Sequence, residues 1–385
     1  MKIVHITIDE KFINSAVSQF DALPGCDNTF YILSSKDVGE LKYVEAHSCV
    51  QTLDPSRSNL RGFARSISNA TIVFHGFTFN CALIVNTLKN SQNNSLVWIG
   101  WGAEFYANSR LFKKKNAFLK EKTTWLEQSR HSKSILNFKS AITRTGRFFK
   151  DEFIKKALSK MDFIGVSYDE QKIELNSKFN KEFKYFSFMY YPIEKMVTSL
   201  DDSISGNNIL LGNSASATNN HLEILSLFKN TELLNRKVYC PLSYGNDGYR
   251  DKVIFHGSEI IPNNFFPLID FMPLKEYNDL IKSCGVVIMN HKRQQAFGNI
   301  ITMVYYGAKI FLDEQNSIYQ YLKRIGVYVY SIQDDLENSK NPSLDNLTIT
   351  EQKSNREIIL NEVNSKTLFE KLKVSFSEIE AFNGY

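Results

Sequence analysis

The feature that most limits what this chain can become is its rhythm. Short apolar runs at residues 3–8, 29–33, 50–53, 71–74, 96–100, 162–166 and 183–190 read as strands, and enough amphipathic sequence lies between them for helices. Such alternation predicts a parallel sheet with helices on both faces. The polar stretch SLDDSISGNN at 199–208 interrupts the rhythm and marks a domain boundary. A second alternation follows at 209–211, 237–240, 285–289, 309–312 and 327–330. The expected fold class is α/β: two doubly wound, Rossmann-like domains facing each other across a cleft, with ligands at the carboxyl ends of the strands. The expected division is 1–198, 199–340 and a helical tail at 341–385. A chain of 385 residues, 43% hydrophobic, is long enough for two cores.

Several chemistries are excluded by what the sequence lacks. There is no G-x-x-x-x-G-K-[ST], no G-x-G-x-x-G, no H-E-x-x-H and no G-x-S-x-G. No Asp-x-Asp pair is present to hold a divalent metal against a diphosphate. The five cysteines (Cys26, Cys49, Cys81, Cys240 and Cys284) are scattered without C-x-x-C spacing, so reduced thiols are expected rather than disulfides or zinc. No cofactor and no metal are expected. The opening MKIVHITID enters a strand directly, and no stretch reaches the roughly 18 apolar residues of a membrane span, which predicts a cytoplasmic protein.

The net charge of +5 conceals a strong asymmetry. Residues 110–160 carry fifteen Lys and Arg against four acids, a local +11 that leaves −6 elsewhere. Phe112, Phe118, Trp125, Phe138, Phe148, Phe149 and Phe153 run through the same stretch. Cations interleaved with aromatic rings suit an anionic membrane surface, each near-surface cation adding about 1 kcal/mol. Lys113, Lys114 and Lys115 are the membrane-contact candidates. Nucleic-acid binding would use the same residue types, and so would a solvated helical face with core aromatics behind it.

Two loops in the second half can receive phosphate without a metal. In ILLGNSASATNNHLE a strand ends at Gly212, a small-residue loop through Asn213 and Ser214 follows, and a helix begins near Asn220 with Glu223 placed for a capping box. Small side chains let a phosphate approach loop amides and the positive helix end, although a plain strand-to-helix turn reads the same way. In VVIMNHKRQQAFGNIITMVYYGAKIFL a strand runs into Arg293, Gln294 and Gln295, Gly298 and Asn299 open a helix, and Gly307 closes it. A cationic loop against a helix N-terminus matches a diphosphate; alternatively Arg293 pairs with a surface acid.

At this point the residues resemble a known family. FHG at 74–76, WGAEFY, LLGNSASATNNHLE, YCPLSYG, FMPLKEYNDLIKSC and RQQAFGNIITMVYYGAKIFL are similar, in order, to blocks of the enterobacterial TDP-N-acetylfucosamine:lipid II N-acetylfucosaminyltransferases. The resemblance spans roughly residues 70–330. The family's WGADLY has Asp where this chain has Glu104, and its RQQGIGT reads RQQAFGN here.

The resemblance implies a GT-B glycosyltransferase that adds 4-acetamido-4,6-dideoxygalactose to a lipid-linked precursor, with the nucleotide in the second domain and the acceptor against the first. Its partners would be a nucleotide sugar, a TDP-sugar first of all, a polyprenyl-diphosphate-linked acceptor and the inner leaflet, peripherally, without nucleic acid. Arg293, the amides of Gly212–Ser214 and the helix opening at Asn299 would neutralise the leaving diphosphate. Tyr244, Leu274 and Tyr277 fall in the blocks assigned to the donor nucleotide and sugar, and Trp101 and Asp9 are the acceptor candidates.

In LVWIGWGAEFY a strand gives way to two tryptophans, two glycines and one carboxylate. Glu104, desolvated beside aromatics, is the candidate base, with His75 on the neighbouring strand as its rival. The plainer alternative buries Trp98 in the core, packs Trp101 between domains and makes Glu104 a helix cap. Two other functions fit the same residues: transfer from another nucleotide sugar such as a UDP-N-acetylhexosamine, and non-catalytic binding of sugar or nucleic acid.

Overall fold

The computed structural model describes residues 1–108, 110–112, 117–128, 138–339 and 342–383, with backbone alone at 103 and 138–145. The chain forms two compact units: unit 1 is Met1–Lys115, Leu136–Tyr191 and Lys366–Tyr385, and unit 2 is Asn116–Ile135 and Pro192–Ser365. This interleaved division differs from the expected boundary at 199 and separate tail at 341–385. The helix Ile349–Val363 stays with unit 2, whereas Leu372, Phe376 and Ile379 of the helix Ser365–Asn383 enter the core of unit 1. An apolar stripe shows that a helix packs, but the stripe carries no address.

Unit 1 is built on the strands β1 (Lys2–Thr7), β2 (Asp27–Leu33), β3 (Val50–Leu53), β4 (Thr71–His75), β5 (Ser95–Ile99), β6 (Phe163–Val166) and β7 (Lys184–Ser187). They form one parallel sheet in the order β3-β2-β1-β4-β5-β6-β7. Every residue of β4 and β5 is buried, as strands covered on both faces by helices require. Ile3, Phe20, Phe30, Val97, Phe163 and Phe186 centre the core.

Unit 2 repeats the plan with β8 (Asn208–Leu211), β9 (Val238–Pro241), β10 (Phe265–Leu268), β11 (Cys284–Met289), β12 (Lys309–Leu312) and β13 (Val329–Ser331), parallel in the order β10-β9-β8-β11-β12-β13. In each sheet the order reverses direction beside the first strand, between β1 and β4 in unit 1 and between β8 and β11 in unit 2, which is where such sheets open a crevice. β10 was not expected from the sequence. It contains Pro267, which cannot donate to a ladder, and it survives because it lies at the sheet edge with only β9 beside it.

The described part of the basic stretch is divided between the two units. The helix Phe138–Leu158 belongs to unit 1, where Arg110 pairs with Glu152 at 2.6 Å. The helix Glu121–Gln128 packs on unit 2 through Leu126. Glu223 forms no capping box: its carboxylate accepts from Thr123 N at 2.9 Å and Thr123 Oγ1 at 2.6 Å, so it caps that neighbouring helix instead. Lys113, Lys114 and Lys115 lie outside the described residues. Among the described residues no helix is long and apolar enough to cross a membrane.

Candidate active site

In unit 2 the register Leu211↔Ile288 makes the loops after β8 and β11 emerge side by side. Gly212 adopts φ +68°, and a Cβ there would lie 2.4 Å from His221 Nε2 and 2.8 Å from Asn219 Oδ1, so only glycine fits. Two sequence-predicted loops and a tyrosine meet here. Gln295 Nε2 donates to Asn213 Oδ1 at 2.9 Å, Asn213 Nδ2 donates to Tyr244 Oη at 2.8 Å, and Thr218 Oγ1 donates to Gln295 Oε1 at 2.7 Å. Of the three loop amides expected to receive phosphate, two are engaged within the protein, Gly212 N with Ile288 O and Asn213 N with Asn219 Oδ1. Asn219 also donates to Ser214 O and Ser216 O, so one side chain fixes the whole turn.

The helix that follows the second loop is Phe297–Tyr306. Its N-cap residue Ala296 has no side chain that could cap it, its first amides have no intrahelical acceptor, and a Cβ at Gly298 would meet nothing. Ala296 holds the preceding position at φ +57°, where a Cβ costs on the order of 1–2 kcal/mol. Arg293 lies just before this turn, its guanidinium donating to Gln294 O at 2.9 Å and 6.0 Å from the Phe118 ring. Asn299 is the third helical residue. Tyr244 is 60% exposed over the loop, Leu274 is exposed, and burial raises the Tyr277 phenol, with Tyr244 adding to the shift. Reading the sequence missed Lys120, whose ammonium reaches the fully buried Asp313 at 2.8 Å and Glu337 at 3.6 Å. It comes from a segment far away in sequence, and only its basicity was visible.

In unit 1 the corresponding edge is aromatic. Trp98 is fully buried, and its Nε1 donates to Glu104 Oε1 at 3.1 Å; the same oxygen accepts Trp101 N at 2.8 Å. Burial raises the Glu104 carboxyl, and the amide bonds to it oppose that only in part. His75 is 2% exposed, with Nε2 3.0 Å from His5 Nδ1 and Nδ1 2.9 Å from Tyr190 Oη. Both ring nitrogens are occupied, and burial, then the neighbouring His5, holds the ring well below its ordinary pKa. In this geometry both nitrogens face partners inside unit 1, which favours Glu104 over His75 as the base.

Trp101 sits against Gly76, where φ is +70° and a Cβ would come within 2.6 Å of the indole ring. Its Nε1 donates to Tyr190 Oη at 2.8 Å. Asp9 accepts the amides of Lys42, Tyr43 and Val44 at 2.7, 3.0 and 3.0 Å. Those bonds outweigh its partial burial and lower its pKa, so its carboxylate ties down the 42–44 turn and does not stand open to an acceptor.

Residues 147–352 match the model of a family described as 4-alpha-L-fucosyltransferase, glycosyl transferase group 56, which is more than half of the chain. Among solved structures, sucrose-phosphate synthase from Thermosynechococcus elongatus superposes with a TM-score of 0.64 at 9% identity, over 99% of both chains. An alpha,alpha-trehalose-phosphate synthase (UDP-forming) from Burkholderia vietnamiensis gives 0.62 at 9% identity, over 99% of this chain and 98% of that one. The lipopolysaccharide outer core galactosyltransferase WaaB in its apo form gives 0.58 at 10% identity, over 98% and 100%. At such identities the likeness speaks for the fold, and the fold is GT-B. The family match carries the rest, and the chain belongs to the 4-alpha-L-fucosyltransferases of glycosyl transferase group 56.

Proposed function

We propose that this glycosyltransferase moves 4-acetamido-4,6-dideoxygalactose from its TDP donor to a lipid-linked saccharide at the cytoplasmic face of the bacterial inner membrane. The observation that carries the donor half is the helix N-terminus at Phe297 and Gly298, open around Gly298 and close in sequence to Arg293, at the strand-order reversal of unit 2. As the bond between the anomeric carbon and the diphosphate oxygen breaks, its electron pair leaves on the nucleotide. Arg293 and the first amides of that helix stabilise the charge without a metal. The exposed Tyr244 ring and the Leu274–Tyr277 turn flank the nucleotide. In unit 1 the acceptor hydroxyl attacks the anomeric carbon and Glu104 takes its proton. Its raised pKa suits the task, while the same carboxylate holds Trp98 and the Trp101 backbone.

The membrane half is supported by the +11 stretch and by Trp125 and Phe149, which are 61% and 68% exposed. Thermal shift against TDP, UDP, GDP and CMP tests the donor. TDP at 100 times its dissociation constant should add about 2.7 kcal/mol of stability. Stabilisation by UDP with none from TDP would replace the donor with a UDP-sugar.

A further inference from the structure

Unit 1 contains a chain of hydrogen bonds through its core that only one arrangement of protons satisfies. Asn28 Nδ2 donates to Phe20 O at 2.9 Å, which turns its Oδ1 toward His5 Nε2 at 3.1 Å. His5 Nε2 therefore carries the hydrogen, and Nδ1 accepts from His75 Nε2 at 3.0 Å. His75 Nδ1 then accepts from the Tyr190 hydroxyl at 2.9 Å, and Tyr190 Oη accepts from Trp101 Nε1 at 2.8 Å. Burial keeps both imidazoles neutral, with His5 lowered to about 3, so no protonated ring reverses the order.

Tyr190 is held from its other end as well. Its carbonyl accepts from Ser15 Oγ and, at 2.9 Å, from Gln19 Nε2. Asn28, His5 and His75 are all buried, whereas Tyr190 and Trp101 are only half-buried. The chain thus runs from deep in the sheet to one indole. Apolar residues could fill the same space without a polar network. What the network adds is a fixed hydroxyl under the indole N–H, while Gly76 supports the ring and the Phe12 ring stands nearly perpendicular to it, 4.9 Å between centroids.

We propose that Tyr190 is a positioning residue for the acceptor: its hydroxyl, held by His75, His5 and Asn28, locks the Trp101 indole as the plane on which the acceptor sugar lies. An indole face is apolar and electron-rich, and it complements the C–H face of a pyranose. The inference rests on the reading that the acceptor binds unit 1.

The test is steady-state kinetics with a TDP-sugar donor and a short-prenyl-diphosphate-linked disaccharide acceptor. Tyr190→Phe should raise the acceptor KM roughly 3- to 10-fold, the value of one hydrogen bond, and leave the donor KM within twofold. Trp101→Phe should raise the acceptor KM further, and the double variant should be no worse than Trp101→Phe alone. In 5-fluorotryptophan-labelled protein, Tyr190→Phe should shift the Trp101 resonance and leave those of Trp98 and Trp125 in place. Additive effects, equal changes in both KM values or an unmoved Trp101 resonance would overturn the proposal. An increase for Trp101→Phe with none for Tyr190→Phe would remove the relay alone. If Trp101→Phe left the acceptor KM unchanged, the acceptor reading of unit 1 would fall with it.

Discussion

The two strand-order reversals use one scaffold for opposite chemistry. Each places a glycine near φ +70° against a ring, Gly76 under Trp101 in unit 1 and Gly212 against His221 in unit 2. Each also buries a pair of neutral histidines, His5 with His75 and His221 with His291. In unit 1 the polar groups point inward and saturate one another, around the half-buried Trp101 indole and the Glu104 carboxylate. In unit 2 the side chains of Asn213, Asn219 and Gln295 saturate the turn, and beside it a helix begins at Phe297 with Arg293 just before it. Fold topology sets where ligands can bind, and the direction of the hydrogen bonds sets which ligand each edge can take.

The comparison breaks most sharply at Glu104. Glu104→Gln keeps an oxygen for Trp98 and Trp101 but cannot take a proton, so kcat should fall roughly 10²- to 10⁴-fold while TDP affinity stays within twofold. A kcat within threefold of the parent would reduce Glu104 to its structural bonds. Arg293→Ala should give the reverse pattern. Losing a charge-assisted bond to phosphate costs about 1.5–3 kcal/mol, so TDP should bind roughly 10- to 150-fold more weakly in calorimetry, with acceptor KM unchanged. If both variants damaged both substrates alike, the division of labour between the units would be wrong.

The smallest effect tests the feature the two edges share. His5 and His221 are held at about 3 in the fold against 6.5 in the unfolded chain, so the unfolded chain takes up protons first as pH falls. Stability present above pH 6.5 is therefore lost progressively toward pH 3. Each histidine should remove about 2 kcal/mol by pH 5. Urea unfolding at pH 7 and pH 5 should show the loss, and His221→Gln should reduce it. A pH-independent midpoint would mean that water reaches these rings.

The strand rhythm was legible because β4, β5 and β11 are continuous apolar runs, and β10 was not, because Pro267 and its exposed positions resemble a loop. The Gly212 and Arg293 loops could be found because small and cationic residues at a strand end have a local meaning. His5, Asn28 and Tyr190 could not, since a polar residue in a strand does not declare its partner, and these partners lie 23, 70 and 115 residues apart. Lys120 was hidden for the same reason: its charge was read as surface, while Asp313 lay beyond any sequence window.

The interleaving of the two units reaches into how the polypeptide is made. When residues 1–191 have emerged from a ribosome, the core of unit 1 still lacks Leu372, Phe376 and Ile379, and the helix Glu121–Gln128 waits for Glu223, 100 residues downstream. Unit 2 is complete once residue 365 has emerged, whereas unit 1, the first to begin, is the last to close, with apolar surface open until residues 366–383 arrive. A fragment that stops at residue 191 would keep that surface open permanently.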